Sequence, residues 1–370
     1  MSTTTLKKTE PSGNTIVRFL LGMLVVVALA FAARWLKTTV YDIKDIGLGV
    51  PGKVLEYPLW AALVGLLANW ILKAVGAYDY LKPGFRTELF LKIGLVLLGC
   101  TISFKVIMTA AVGAIIQALI MVTCVYLFCW WLAGKFGLPD TLRAVMSTAV
   151  SICGVSAAIA AAGSVAAKKE EITYITTLVI ITALPLMVIM PLIAGWLNMP
   201  QAVAGAWFGG NVDTTAAVVG AGTIYGEEAQ KIASIVKATQ NALIGVVAFL
   251  LALYFTTVVE GKRERPSASL IWQRFPKFVL GFIIASLLFT FGVIPAASAK
   301  EPTAGNAIAA MKDWAFCLAF VCMGLELAVG DLRKMGWAPV WVFLIVTVFN
   351  TLLALVVSWV IFGYLFPASF

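Results

Sequence analysis

Residues Ser156–Val165 read SAAIAAAGSV, and residues Thr215–Ile224 read TAAVVGAGTI. The two stretches align without a gap, and every pair is identical or a close substitution. In the same register Ala183 and Leu184 meet Ala242 and Leu243. Gly, Ala, Ser and Thr line most contacts between membrane helices, so chance similarity is the competing explanation. The setting of the two copies favours duplication. Each is the second member of a pair of short apolar pieces, Asp140–Ile152 with Val155–Ala167 and Ala202–Gly210 with Thr214–Tyr225. A full-length apolar run follows each pair, Ile172–Leu197 and Ile232–Val258. A weaker echo links Leu98-Gly99-Cys100-Thr101 to Met323-Gly324-Leu325-Glu326.

Further apolar runs cover Ile16–Leu36, Tyr57–Leu72, Leu89–Ile102, Val106–Ala133, Phe278–Ile294, Ala307–Val329 and Pro339–Phe366. The chain of 370 residues is 61% hydrophobic and 12% charged, whereas a soluble domain is about half apolar and a quarter charged. The excess has to face lipid. A helix crosses the hydrocarbon with about 20 apolar residues, and no barrel-type alternation appears, so helices are the spanning structure. The fold class expected is all-α, a polytopic membrane protein. Ala28-Leu29-Ala30 resembles a signal-peptide cleavage site, but the apolar run continues beyond it, and a retained helix is expected there.

A net charge of +9 does not point to nucleic acid, because the Lys and Arg residues punctuate the gaps between apolar runs, the pattern of topology-setting charge. The densest basic loop, with Lys262, Arg263, Arg265, Arg274 and Lys277, is read as cytoplasmic. Lys73, Lys82, Arg86, Lys135, Arg143, Lys168, Lys169, Arg333, Lys334 and the N-terminus then fall on the same side. Lys44, Lys53, Lys300 and the C-terminus fall outside. The third and twelfth runs are opposed in direction, so the weaker echo reads as inverted. Each short pair either crosses twice or re-enters, which leaves this assignment of sides intact, and the first match is inverted too if each pair crosses twice. Inverted repeats with short, interrupted segments mark secondary transporters. One integral membrane domain, 1–370, is expected. It comprises a polar cytoplasmic N-terminus over 1–15, repeated core units over 139–197 and 200–258, and paired flanking units over 87–134 and 305–366.

The chain has no His and six Cys, all inside apolar runs. That removes His-based metal sites and triads, and leaves neither a disulfide framework nor zinc-type spacing. No enzyme, cofactor or metal is expected. The polar residues within apolar segments are the candidate site. Asp213 and Thr214 sit at the break of the second short pair, and Ser156 at the matching break of the first. Broken helices leave free N–H and C=O groups that bind a ligand or take side-chain caps, and Asp213 could be no more than an N-cap. Lys237, Gln240 and Asn241 share one helix face by their spacing. An intramembrane Lys is costly without a partner, the alternative being that it snorkels. Glu326 lies near a cytoplasmic helix end, and Lys312 and Asp313 are read as interfacial.

The stretch Ser151-Ile152-Cys153-Gly154, followed by small residues and Lys168-Lys169-Glu170-Glu171, resembles the bacterial sulfate exporter family of uncharacterised inner-membrane proteins. Val218–Gly222, Lys237 and the Leu98-Gly99 and Met323-Gly324 turns fit the same family, and the resemblance covers nearly the whole chain. The arrangement is distantly similar to bile-acid symporters and sodium/proton antiporters. That similarity implies two broken helices crossing at mid-membrane and a panel domain moving against a core domain. The departures bear on substrate. Typical members carry a His and an acid where this chain has Asp213 and Thr214, Arg where it has Gln240 and Thr101, and a small polar residue where it has Glu326. The site has lost cations and gained carboxylates, and the family's substrate label is itself an inference.

The expected function is secondary active transport of a small anionic solute, sulfate-like by resemblance, across a bacterial inner membrane. Asp213 would exchange a proton or sodium ion, and Lys237 would neutralise it or receive the anion. Ser156, Thr214, Gln240, Asn241 and Glu326 would flank them. The other partners expected are the lipid bilayer and, as one open option, a second copy in a homodimer. A passive channel, or a membrane sensor or assembly protein, is the alternative.

Overall fold

The computed structural model describes residues 13–41, 56–259, 267, 269–298, 303–327 and 336–367. The cations Lys44, Lys53, Lys262, Arg263, Arg265, Lys300, Arg333 and Lys334 lie outside the described residues. Every regular element described is helical. The helices are α1 (Gly13–Tyr41), α2 (Tyr57–Ala74), α3 (Tyr78–Leu81), α4 (Thr87–Gly99), α5 (Phe104–Lys135), α6 (Asp140–Ser151), α7 (Val155–Val165) and α8 (Lys169–Trp196). They continue as α9 (Gln201–Asn211), α10 (Thr215–Tyr225), α11 (Glu227–Ala242), α12 (Ile244–Tyr254), α13 (Ser269–Arg274), α14 (Phe278–Thr290), α15 (Ala304–Leu325) and α16 (Ala338–Ser358).

Seven helical stretches are long and apolar enough to cross a membrane, including α11 and α12 read as one rod over Glu227–Val259. Apolar side chains such as Leu24, Leu127, Ile284 and Leu352 point outward, which is stable only against lipid. Two runs read as full spans are shorter than expected. α4 and α14 have 13 residues each, about 20 Å of helix against about 30 Å of hydrocarbon. They pack on each other, and Ser286 of α14 donates to the Ile102 carbonyl, 2.6 Å away, in the turn after α4.

The short pairs double back. At the first, Thr141 near the start of α6 donates to Glu171 at the start of α8, 2.9 Å away, so α6 starts at the level to which α7 returns. At the second, the Gln201 side-chain oxygen at the start of α9 accepts from Glu228 N (3.1 Å) and Ala229 N (3.3 Å) at the start of α11. Tyr225, closing α10, donates to the Met199 carbonyl just before α9, at 2.5 Å. The 28 residues of α8, about 42 Å, separate the two ends from which the pairs start. Their tips meet: a Cβ on Gly154 would lie 3.5 Å from the Thr214 methyl and 3.6 Å from the Asp213 Cβ.

Of the two paths open to each short pair, crossing twice or re-entering, the helices thus take the second, with both ends of a pair on one level. Each helix of a pair has 11 or 12 residues, about 17 Å, which is half a crossing. Local chemistry explains the shape. Pro139 and Pro200 precede α6 and α9 with nearly the same backbone angles, φ −57° with ψ 146° and 142°, and a Pro at a helix start forfeits no helical bond. Gly154 turns the first tip at φ +69°, a conformation that a side chain disfavours.

The helices form two packing groups. α1, α2, α4, α14 and α15 lie against one another. Gly65 and Gly324 seat α2 on α15 so closely that a Cβ on either would strike the other helix's backbone. The remaining long helices surround the two doubled-back pairs. The groups meet chiefly where α10 lies against α2, α4 and α15.

Candidate functional site

The two tips bring together helix ends whose backbone groups lack helical partners. Side chains from neighbouring helices supply donors to the carbonyl ends. Lys237 of α11 donates to the Ile152 carbonyl, which closes α6, and to Gln240 Oε1 at 3.2 Å. Gln240 donates in turn to the Gly210 carbonyl at the end of α9, 3.3 Å away. Asn350 of α16 reaches both tips, donating to the Asn211 carbonyl at 2.9 Å and the Val150 carbonyl at 3.5 Å. Gln117 of α5 donates to the Ala206 carbonyl of α9 at 2.7 Å. A cation at the carbonyl end of a helix is favoured by the helix dipole, which accounts for a lysine at a position 1% exposed.

At the amino-terminal ends the arrangement differs. α10 is capped by Thr214, whose hydroxyl accepts from Ala217 N at 3.2 Å; the cap is not Asp213. α7 starts at Gly154 without a side-chain cap. Asp213, 1% exposed, lies beside that start, and its Oδ2 has no hydrogen-bond partner. Asp213 and Lys237 are within electrostatic range of each other, yet no ion pair within 4.0 Å joins them. Each instead sits at a helix end of the sign it complements.

A cavity of 380 Å³ reaches the tips from the face that carries Lys92, Gln273 and Lys277. Its inner wall is Cys153, Ser156, Thr215 and Asn241. A smaller cavity of 90 Å³ shares Glu88, Cys153, Ser156 and Thr215 with it and adds Thr214 and Glu326. The Asn241 amide donates to Thr215 Oγ1 at 3.2 Å, and its own oxygen is buried without a partner. Glu88 of α4 accepts from Ser156 at 2.7 Å and pairs with Lys92 at 2.8 Å. Glu326, the residue that closes α15, accepts from Thr87 at 3.0 Å.

Of the residues selected from sequence, Ser156, Thr214, Asn241 and Glu326 line the cavities, while Asp213, Lys237 and Gln240 form the buried layer behind them. Lys312, expected at an interface, is 9% exposed and lies 3.4 Å from Asp313. Four residues were missed: Glu88, Gln117, Thr215 and Asn350. The amides carried a signal, since each lies deep in an apolar helix, Gln117 alone and Asn350 beside Thr347 and Thr351. Glu88 carried only its spacing of four from Lys92.

The comparisons with known proteins agree with a membrane chain. Residues 21–343 match the family described as Conserved hypothetical protein 698. A UPF0324 membrane protein of Rhodopirellula baltica is 35% identical over 363 residues, covering 96% of this chain and 65% of the relative. One from Nitratidesulfovibrio vulgaris is 34% identical over 367 residues, covering 96% and 61%. One from Rhizobium meliloti is 27% identical over 347 residues, covering 93% and 92%. The chain therefore spans less than two thirds of the length of the first two relatives. No solved structure matches the chain. On its match over residues 21–343, the chain belongs to the Conserved hypothetical protein 698 family, alongside the UPF0324 membrane proteins.

Proposed function

We propose that the protein is a secondary active transporter that moves a small anion, sulfate-like by family resemblance, across the bacterial inner membrane. The observation that carries this reading is the cavity leading from one face to the meeting point of the two helix tips, where Glu88, Ser156, Thr215 and Asn241 stand among apolar side chains. Irregular backbone at membrane depth is tolerated where it lines a cavity or is buried in protein, and facing helix ends inside such a cavity suit a charged solute. The uncapped start of α7 offers N–H groups to an anion, with Ser156, Thr214, Thr215 and Asn241 as neutral partners.

The two units, α6–α7–α8 and α9–α10–α11–α12, are best read as inverted copies. Each is a Pro, a short helix, a break, an 11-residue helix and a long helix, started from opposite ends of α8. By the charge rule the cavity opens to the cytoplasm, the N-terminus is inside and the C-terminus outside. The group of α1, α2, α4, α14 and α15 would serve as the panel, and the rest as the core.

Coupling follows from charge. Glu88 is paired with Lys92, which leaves Asp213 and Glu326 as the carboxylates that oppose an incoming anion at low dielectric. A cation travelling with the solute, either a proton or sodium, would relieve that opposition. Asp213, with its unpartnered oxygen, is the residue best suited to take it. The test is counterflow in proteoliposomes against a panel of small anions, at two pH values and with or without sodium. Saturable exchange that depends on the cation supports the proposal, and unsaturable conductance would favour a passive channel.

A further inference from the structure

A second polar pocket, of 280 Å³, lies between the same two helix groups at the far end of α10. The inner cavities touch Thr214 and Thr215 at the start of that helix, and this pocket touches Thr223. Eight residues separate Thr215 from Thr223, about 12 Å along the helix. The charge rule puts this end on the outer face.

The charged residues that line the pocket are three cations and three carboxylates, and Arg34 is left outside the ion pairs because Lys231, beyond the lining, takes Glu227. Lys37 pairs with Glu56 at 2.9 Å, Lys231 with Glu227 at 2.8 Å, and Lys312 with Asp313 at 3.4 Å. Arg34 has no carboxylate partner among the described residues. Its guanidinium stacks on Trp314, 4.6 Å from the ring centroid, and its Nη1 is buried without a hydrogen bond. The Tyr57 side chain, 6% exposed, lines the same pocket, and its hydroxyl also has no partner. Tyr57 opens α2, whose first turn has no side-chain cap. The guanidinium's idle donor, the buried hydroxyl beside it and the uncapped helix start have no acceptor among the described residues save the Thr223 hydroxyl next to Tyr57.

We infer that this pocket is an oxyanion-binding site in which Arg34 and Tyr57 hold a small tetrahedral or carboxylate anion. It deepens the transport reading, on which it rests, as the outer station for the same class of solute. The guanidinium fork suits two oxygens of such an ion, and each carboxylate of the pocket is already held by a lysine.

The test is site-local and needs no transport. Full-length protein in maltoside detergent free of phospholipid is treated with phenylglyoxal, and modification of Arg34 is followed by mass spectrometry. Sulfate is compared with chloride at matched ionic strength. The expected result is a rate at Arg34 slowed at least about threefold by sulfate. Tyr57→Phe, which keeps the ring, should raise the half-protecting sulfate concentration by about tenfold, the loss of one charge-assisted hydrogen bond. Protection seen only after phosphatidylglycerol is added identifies a lipid phosphate as the source of the same chemistry. An Arg34 that never reacts, or reacts at a rate that neither sulfate nor the lipid alters, overturns the inference. Protection without exchange in proteoliposomes would sink the transporter and leave the pocket standing. Exchange without protection would do the reverse.

Discussion

At the residue scale, Asp213 and Lys237 turn out to be unequal. Lys237 has work in the resting fold, because it is the side-chain donor to the Ile152 carbonyl at the closing turn of α6. Asp213 keeps a buried oxygen with no partner, a costly condition for a carboxylate. Lys237→Gln, too short to reach that carbonyl, should lower stability by about 1–3 kcal/mol. Asp213→Asn should hold stability within about 1 kcal/mol of the parent, since the amide removes a buried charge in nearly the same volume. Thermal unfolding of both variants and of the double variant, in one detergent, checks this asymmetry. Equal losses in the single variants, with recovery in the double, would show a direct ion pair instead. The sequence located both residues because an intramembrane charge is expensive wherever it sits. It could not show their separation, which depends on where α11 lies against the tips.

At the scale of elements, helix limits were legible because apolar runs end at charges, Gly or Pro. α5, read as Val106–Ala133, runs from Phe104 to Lys135, and the two short pairs fall within a few residues of their expected bounds. The path of each pair was not legible. A short apolar piece fits half of a crossing helix as well as one arm of a hairpin, and the choice is made by contacts distant in sequence, such as Thr141 with Glu171 and Gln201 with Glu228. Asn350 belongs to this scale, since it ties the end of α6 to the end of α9. Asn350→Leu, of similar volume, should cost about 1–3 kcal/mol by leaving backbone carbonyls at both tips without their donor. It should also raise amide exchange at the tips, read by hydrogen–deuterium exchange, while α15 stays protected. Unchanged exchange there would mean that the tips hold without it.

At the scale of the whole molecule, the bond from Ser156 to Glu88 at 2.7 Å crosses between the two packing groups. If transport moves one group past the other, joining these positions should stop it. A protein carrying Glu88→Cys and Ser156→Cys, with the native cysteines replaced, should lose nearly all exchange when bridged by a short thiol-reactive cross-linker. Exchange should return when the bridge is cut. Full activity in the bridged protein would exclude relative motion at that contact.

Transport at the helix tips, as proposed, depends on Asp213. Parent and Asp213→Asn proteins, shown to unfold at matching temperatures, are reconstituted at equal density and assayed for counterflow of radiolabelled sulfate and related small anions. Saturable, cation-dependent counterflow is expected in the parent, reduced by about two orders of magnitude or more in Asp213→Asn, a loss of about 3 kcal/mol in the coupled step. Counterflow in Asp213→Asn equal to the parent's, with the same dependence on pH and sodium, would contradict it.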